Sequence, residues 1–127
     1  MRTGGIGRSP RQRAQRRGIL AEGLCRWHLR LRGWRIIAFD WRCPAGEIDI
    51  LARRGSVLAI IEVKSRRDFA GAAASVLPRQ RRRIVRAASA FLSMRPDLAE
   101  LALRFDVMLV APYRPPRHLP DAWRIDD

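Results

Sequence analysis

The sequence predicts a single α/β domain, a β-sheet with helices packed against it. Helical and extended patterning alternate along the chain in the order helix, three strands, helix, strand. With 127 residues, 47% of them hydrophobic, the chain is long and apolar enough for one buried core. A formal net charge of +14 at pH 7 adds what such a domain would meet, a polyanion such as DNA, RNA or an acidic surface. A GC-rich genome would inflate arginine, but it does not explain why Asp and Glu together number only 12.

Taken in order, residues 1–17 carry six arginines (Arg2, Arg8, Arg11, Arg13, Arg16, Arg17), no acid and almost nothing apolar. A disordered basic arm is expected there, contacting phosphate or merely solubilising the chain. From Gly18 onward, Ile19 or Leu20, Leu24, Trp27 and Leu31 recur at helical spacing as the expected apolar face, and Gly33 ends that helix. "WRIIAFDWR" reads as a strand, "CPAG" as a turn, and the next segment as two strands broken at Gly55. After a Gly/Ala-rich loop, Ile84, Ala88, Phe91 and Leu92 share one face of a second helix with arginines on the other. Pro96 and Asp97 close it, and "LALRFDVMLVA" is the fourth strand. The expected domain therefore spans 18–111, and residues 112–127, rich in proline and arginine, are expected to form an irregular tail.

Several function classes drop out. No run approaches the roughly 18 to 20 apolar residues of a membrane span, and Glu22 interrupts the short apolar run after Arg16-Arg17, so neither a secretory nor a twin-arginine signal is convincing. A soluble, cytoplasmic protein is expected. Cys25 and Cys43 form no CxxC and have no histidine at ligand spacing, which argues against zinc and for reduced thiols. No glycine pattern matches a phosphate-binding loop, and no serine has a histidine near it for nucleophilic work. His28 reads as a helix-surface residue, and His118 lies in the tail. Of Trp27, Trp34, Trp41 and Trp123, three stand in core-patterned segments, where burial is expected ahead of base stacking.

The informative stretch is "GEIDILARRGSVLAIIEVKSR", Gly46 to Arg66. Of the 26 basic residues 25 are arginine, and the single lysine, Lys64, sits here, two residues after Glu62. A lysine kept where arginine serves everywhere else points to work that a guanidinium does badly, since lysine is a compact charge whose pKa moves on burial. If Gly55-Ser56 is a two-residue hairpin loop with glycine first, paired residues have a constant number sum, and Asp49 stands opposite Glu62 and Glu47 opposite Lys64. Alternation then puts those four on one face and Ile48, Ile50, Ala52, Val57, Ala59, Ile61 and Val63 on the other.

Facing carboxylates repel unless something positive lies between them. A divalent cation is the economical candidate, because Mg²⁺ takes one or two carboxylates plus water and substrate phosphate. A lysine beside it can orient or deprotonate the attacking water and counter charge developing on a phosphorane. The bland alternative is a solvated hairpin end with ordinary cross-strand ion pairs; the apolar flanks, the register and the basic chain weigh against it.

These residues resemble a known pattern. Asp49 followed by Glu62-Val63-Lys64 is similar to the PD-(D/E)xK signature of the restriction-endonuclease-like fold, whose core order αβββαβ, a mixed central sheet flanked by helices, is also similar. With "AEGLCRWHLRLRGWRIIAFDWR" before it and "LRFDVMLV" after it, the stretch resembles the YraN-like family of bacterial predicted nucleases related to Holliday-junction resolvases, over residues 18 to 111. The resemblance implies that Asp49 and Glu62 are metal-binding acids, that Lys64 is the catalytic lysine, and that Glu22 on the first helix approaches the metal. It leaves Glu47 as an accessory acid and implies nucleic-acid contacts from Arg66, Arg79, Gln80, Arg82 and Arg83. Gln80 stands where the family usually has lysine, and "AGAAAS" where an acid is common.

The expected function is a Mg²⁺- or Mn²⁺-dependent endonuclease hydrolysing phosphodiesters of DNA, favoured over RNA, with branched or structured substrates in view. The alternative is a catalytically silent nucleic-acid-binding module of the same fold; a third reading is a basic protein docking to an acidic protein. No membrane partner is expected, and a homodimer is compatible with the sequence.

Overall fold

Gly55 takes φ 59°, the left-handed value that the first central position of the expected hairpin turn requires. Around it the computed structural model, which describes residues 10–67 and 76–125, builds α1 (Pro10–Leu31), β1 (Arg35–Cys43), β2 (Gly46–Arg54), β3 (Val57–Ser65), α2 (Pro78–Ser93), a short 3₁₀ turn (Pro96–Leu98), β4 (Ala102–Val110) and β5 (Arg117–Trp123). The strands form one mixed sheet in the order β1-β2-β3-β4-β5. β1, β2 and β3 are an antiparallel meander, β4 lies parallel to β3 after the α2 crossover, and β5 returns antiparallel at the far edge. This order is compatible with a restriction-endonuclease-like core extended by one strand.

α1 ends as the sequence requires. Gly33 adopts φ 86°, its N–H bonds the Arg30 carbonyl at 3.1 Å, and the Trp34 N–H reaches the Leu29 carbonyl at 3.0 Å, the paired bonds of a Schellman cap. Its start differs from expectation: residues 10–17, read as part of a basic arm, continue the helix backbone, and residues 1–9 lie outside the described residues. So does most of the Gly/Ala-rich loop, residues 68–75.

Each face of the sheet is covered by one helix. On the α1 side Cys25, Leu29 and Trp34 pack on Ile50, Ala52, Ala59, Ile61 and Met108. On the α2 side Ile84, Ala87, Ala88 and Phe91 pack on Leu51, Leu58, Ile60, Phe105, Val107 and Leu109, which bears out the apolar face expected of the second helix. The face expected of α1 is corrected. Leu20, Leu24, Trp27 and Leu31 are exposed, and the sheet is met instead by Cys25 and Leu29, with the small Ala21 buried one turn before. The helix has two apolar stripes, and the one with small side chains lets its axis approach the sheet.

The tail is the second correction. Residues 112–127 were expected to be irregular, but Arg117–Trp123 pairs with β4, with Leu119 opposite Val107 and Trp123 opposite Phe105. Proline masked the strand. Pro120 is tolerated because β5 is an edge strand, and a register shift accompanied by Asp121 at φ 52° absorbs the irregularity. The buried Trp123 then anchors the edge, stacking on Phe105 with ring centroids 4.2 Å apart.

Candidate active site

β2 and β3 pair in the expected register from Arg54↔Val57 to Ile50↔Ile61. Beyond that point the backbone ladder stops, and the Asp49 side chain takes over: its Oδ2 accepts the Val63 N–H at 2.9 Å. The expected Asp49–Glu62 pairing thus falls beyond the ladder, and the Asp49 carboxylate is held by the strand that carries Glu62 and Lys64. The simple alternation is corrected at Ile48, which joins the α2 layer with Leu51, while Ile50 stays in the α1 layer. The paired strand is irregular at the same level, Asp40 adopting φ 49° between Phe39↔Ile50 and Trp41↔Ile48. This break aims Asp49 toward α1 rather than strictly in step with its neighbours.

Lys64 Nζ is 3.4 Å from Glu62 Oε1, and the two side chains are only 13% and 15% exposed. Burial pushes the Glu62 carboxyl up, the nearby Asp49 charge pushes it further, and Lys64 opposes both, leaving it at about 7. Asp49 is raised as well, by burial first and against the Val63 hydrogen bond. Glu22, projecting from α1, reaches about 7 through burial, then Asp49, then Asp40. Cys25, one turn further along α1, is pushed to about 12 by burial and by these same acids, so its thiol is chemically inert. Asp49 therefore acts electrostatically on Glu22 of α1 and on Glu62 of β3, and Lys64 opposes the charge on Asp49 and Glu62.

The donors are hard oxygens on two rigid strands and a helix, which suits Mg²⁺ or Mn²⁺. Among the described residues no three His, Cys, Asp or Glu side chains close on a single point. Glu47 is exposed and turned to Arg42, whose Nε is 3.6 Å away. It acts on the site from a distance, as a charge that raises Asp49 and Glu62.

Of the residues expected to touch nucleic acid, Arg66, Arg79, Arg82 and Arg83 are exposed. Gln80 instead caps its own helix: its Oε1 accepts the Leu77 N–H at 3.2 Å. α2 is fixed against the acidic strands at Gly46, where a Cβ would stand 2.4 Å from the Arg83 carbonyl oxygen. Only glycine lets the arginine-bearing helix come so close to the start of β2.

Sequence reasoning missed one cluster. Asp106 is fully buried, bonded by Arg104 through Nε and Nη2 at 2.9 Å each, by the Asp121 N–H at 2.9 Å, and by His118 Nε2 at 2.6 Å. A carboxylate only accepts, so Nε2 carries the hydrogen. Burial pushes the Asp106 carboxyl up, but these donors outweigh it and hold it below the usual range. Trp34 packs edge-on against His118 and beneath Arg104. The cluster ties β5 to β4, and the signal for it was an acid inside the apolar run "RFDV".

The model of the uncharacterised protein family UPF0102 matches residues 21–110, from the first buried turn of α1 to the end of β4. A UPF0102 protein of Paramagnetospirillum magneticum is 55% identical over 119 residues, covering 91% of this chain and 92% of the relative. One of Parvibaculum lavamentivorans is 52% identical, covering 87% and 84%, and one of Caulobacter vibrioides 44% identical, covering 94% and 95%. The chain belongs to the UPF0102 family.

Proposed function

We propose that this protein is a divalent-metal-dependent phosphodiesterase acting on nucleic acid, DNA ahead of RNA. The observation that carries the reading is the convergence of half-buried Asp49 and Glu62 with the only lysine of an arginine-rich chain, 3.4 Å from Glu62. Asp49 and Glu62 would hold Mg²⁺ or Mn²⁺, with Glu22 of α1 near Asp49. When bound, the ion supplies Lewis acidity toward the phosphoryl oxygens. Asp49 is oriented for this by the Val63 N–H. Lys64, screened from solvent, places an ammonium where water attacks and where charge develops on phosphorus. The exposed arginines of α2 and Arg66 supply phosphate contacts, and the net charge of +14 supplies long-range attraction.

A second reading, a binding module without chemistry, is favoured by the absence of a closed three-ligand cluster among the described residues. Cleavage separates the two. Branched, flapped, single-stranded and blunt substrates incubated with Mg²⁺ or Mn²⁺ should be cut by the parent and spared by Lys64→Ala and by chelator. Equal product from parent and Lys64→Ala would assign the cutting to a contaminant and leave the binding module.

A further inference from the structure

α1 carries two apolar stripes, and the fold uses one. At about 100° per residue, Leu20, Leu24, Trp27 and Leu31 fall within about 60° of arc, centred about 130° round the helix from the stripe that meets the sheet. They are 62%, 45%, 65% and 74% exposed. Trp27 stands apart from the other tryptophans: Trp34 and Trp123 are buried, and Trp41 packs edge-on against Phe91. Contiguous exposed apolar surface of this kind marks an interaction site.

The stripe borders a groove at the C-terminal ends of β3 and β4. Leu20 and Leu24 form one wall of a groove of about 620 Å³, and its other wall holds Arg66, Arg67, Val110 and Pro112. Arg66 directly follows Ser65, the residue after Lys64, and both arginines are exposed. Arg30, one turn beyond Trp27, is exposed as well. The surface thus combines an apolar wall, one indole face and flanking guanidinium groups at the C-terminal end of β3.

We infer that this surface is a platform for unpaired nucleotides of the substrate strand, with Trp27 stacking on a base, Leu20 and Leu24 walling the groove, and Arg66, Arg67 and Arg30 meeting phosphates. The inference rests on the nucleic-acid reading above and narrows it to substrates with a single-stranded segment. Charge selects the occupant: a second copy would bring the same arginines and the same excess of 14 positive charges, whereas a polynucleotide brings phosphates and apolar base faces together. A blunt duplex keeps its base faces stacked and offers none to an indole. Stacking on aromatic side chains beside a basic track is how single strands are held without regard to sequence.

The test is binding by full-length protein in chelator, so that cleavage plays no part. Anisotropy with an oligothymidylate, a flapped duplex and a blunt duplex of equal charge is compared for the parent, Trp27→Ala, Trp27→Phe and Leu24→Ser. Trp27→Ala should weaken the first two probes by about 5- to 100-fold and change the blunt duplex less than about twofold. Trp27→Phe should recover most of the loss, and the oligothymidylate should quench parent tryptophan emission through Trp27. The inference is overturned by an equal effect on all three probes or by no effect of Trp27→Ala. It is also overturned if Trp27→Ala abolishes a dimer seen by sedimentation velocity or abolishes binding to anionic phosphatidylglycerol vesicles. Selective loss of single-strand binding in a protein that cuts nothing would uphold this platform and sink the nuclease reading alone.

Discussion

Raising the pH in the absence of metal should weaken this protein, and Glu62 is the main reason. Its folded value of about 7, against an ordinary 4.5, means the folded state holds a proton that the unfolded chain has already released. Stability therefore falls as pH rises from about 4.5 through about 7 and stays low above it. At about 1.4 kcal/mol for each tenfold change in proton affinity, ionised Glu62 costs about 3 kcal/mol. For a domain of this size that corresponds to roughly 10 °C in Tm. Glu22 and Asp49 shift in the same direction. His28 works against them: burial, then Arg32 and His118, lower its pKa, so its contribution grows as pH rises toward its ordinary 6.5. Urea unfolding across about pH 5 to pH 8 in chelator, for the parent and for Glu62→Gln, isolates the carboxylate as the difference between the two profiles. Glu62→Gln should flatten the profile, and saturating Mg²⁺ should restore stability to the parent at high pH while doing little for the variant. A parent profile that is flat, or one that Glu62→Gln leaves unchanged, would refute the view that these acids are pressed together in the folded protein.

Gly46→Ala should lose about 1 to 3 kcal/mol of stability, because a Cβ 2.4 Å from the Arg83 carbonyl forces α2 off the sheet; urea midpoints measure it. Asp106→Ala should cost about 3 kcal/mol by removing the acceptor that joins Arg104, His118 and the Asp121 N–H. Because the Asp106 pKa is depressed, the parent should hold this contribution above about pH 4 and lose it on further acidification. Affinity for duplex DNA should fall steeply with salt, and removing the exposed Arg79, Arg82 and Arg83 together should make the slope of log K against log salt shallower by up to about 3.

Much of the sheet was legible because local signals agreed with one another. A glycine at a hairpin apex fixed the register of β2 on β3 as far as Ile50 and Ile61, and a side-chain bond from Asp49 to the Val63 N–H carries on from there. The break at Asp40 and Asp49 was not legible, since positive φ at an aspartate leaves no periodic trace. α1 misled because its larger apolar stripe was taken for the core, while a helix lying close to a sheet is better served by Ala21 and Cys25. β5 was hidden by Pro120, which an edge position can accept, and by the prolines just before it. Its anchor, Asp106 with Arg104 and His118, joins residues 12 apart in sequence that no spacing rule connects.

The most direct test of the central claim is single-turnover cleavage by Lys64→Arg beside the parent, with nucleic-acid and Mn²⁺ affinities measured on the same preparations. If Lys64 places an ammonium at the reacting phosphate, the broader guanidinium should misplace the attacking water. A displacement of about 1 Å can cost about 100-fold in rate. The account predicts near-parental binding of both ligands and the loss of most cleavage. Equal rates for the two proteins would show that the lysine supplies only charge, as arginine does at the 25 other basic positions, and would contradict the assignment of chemistry to this site.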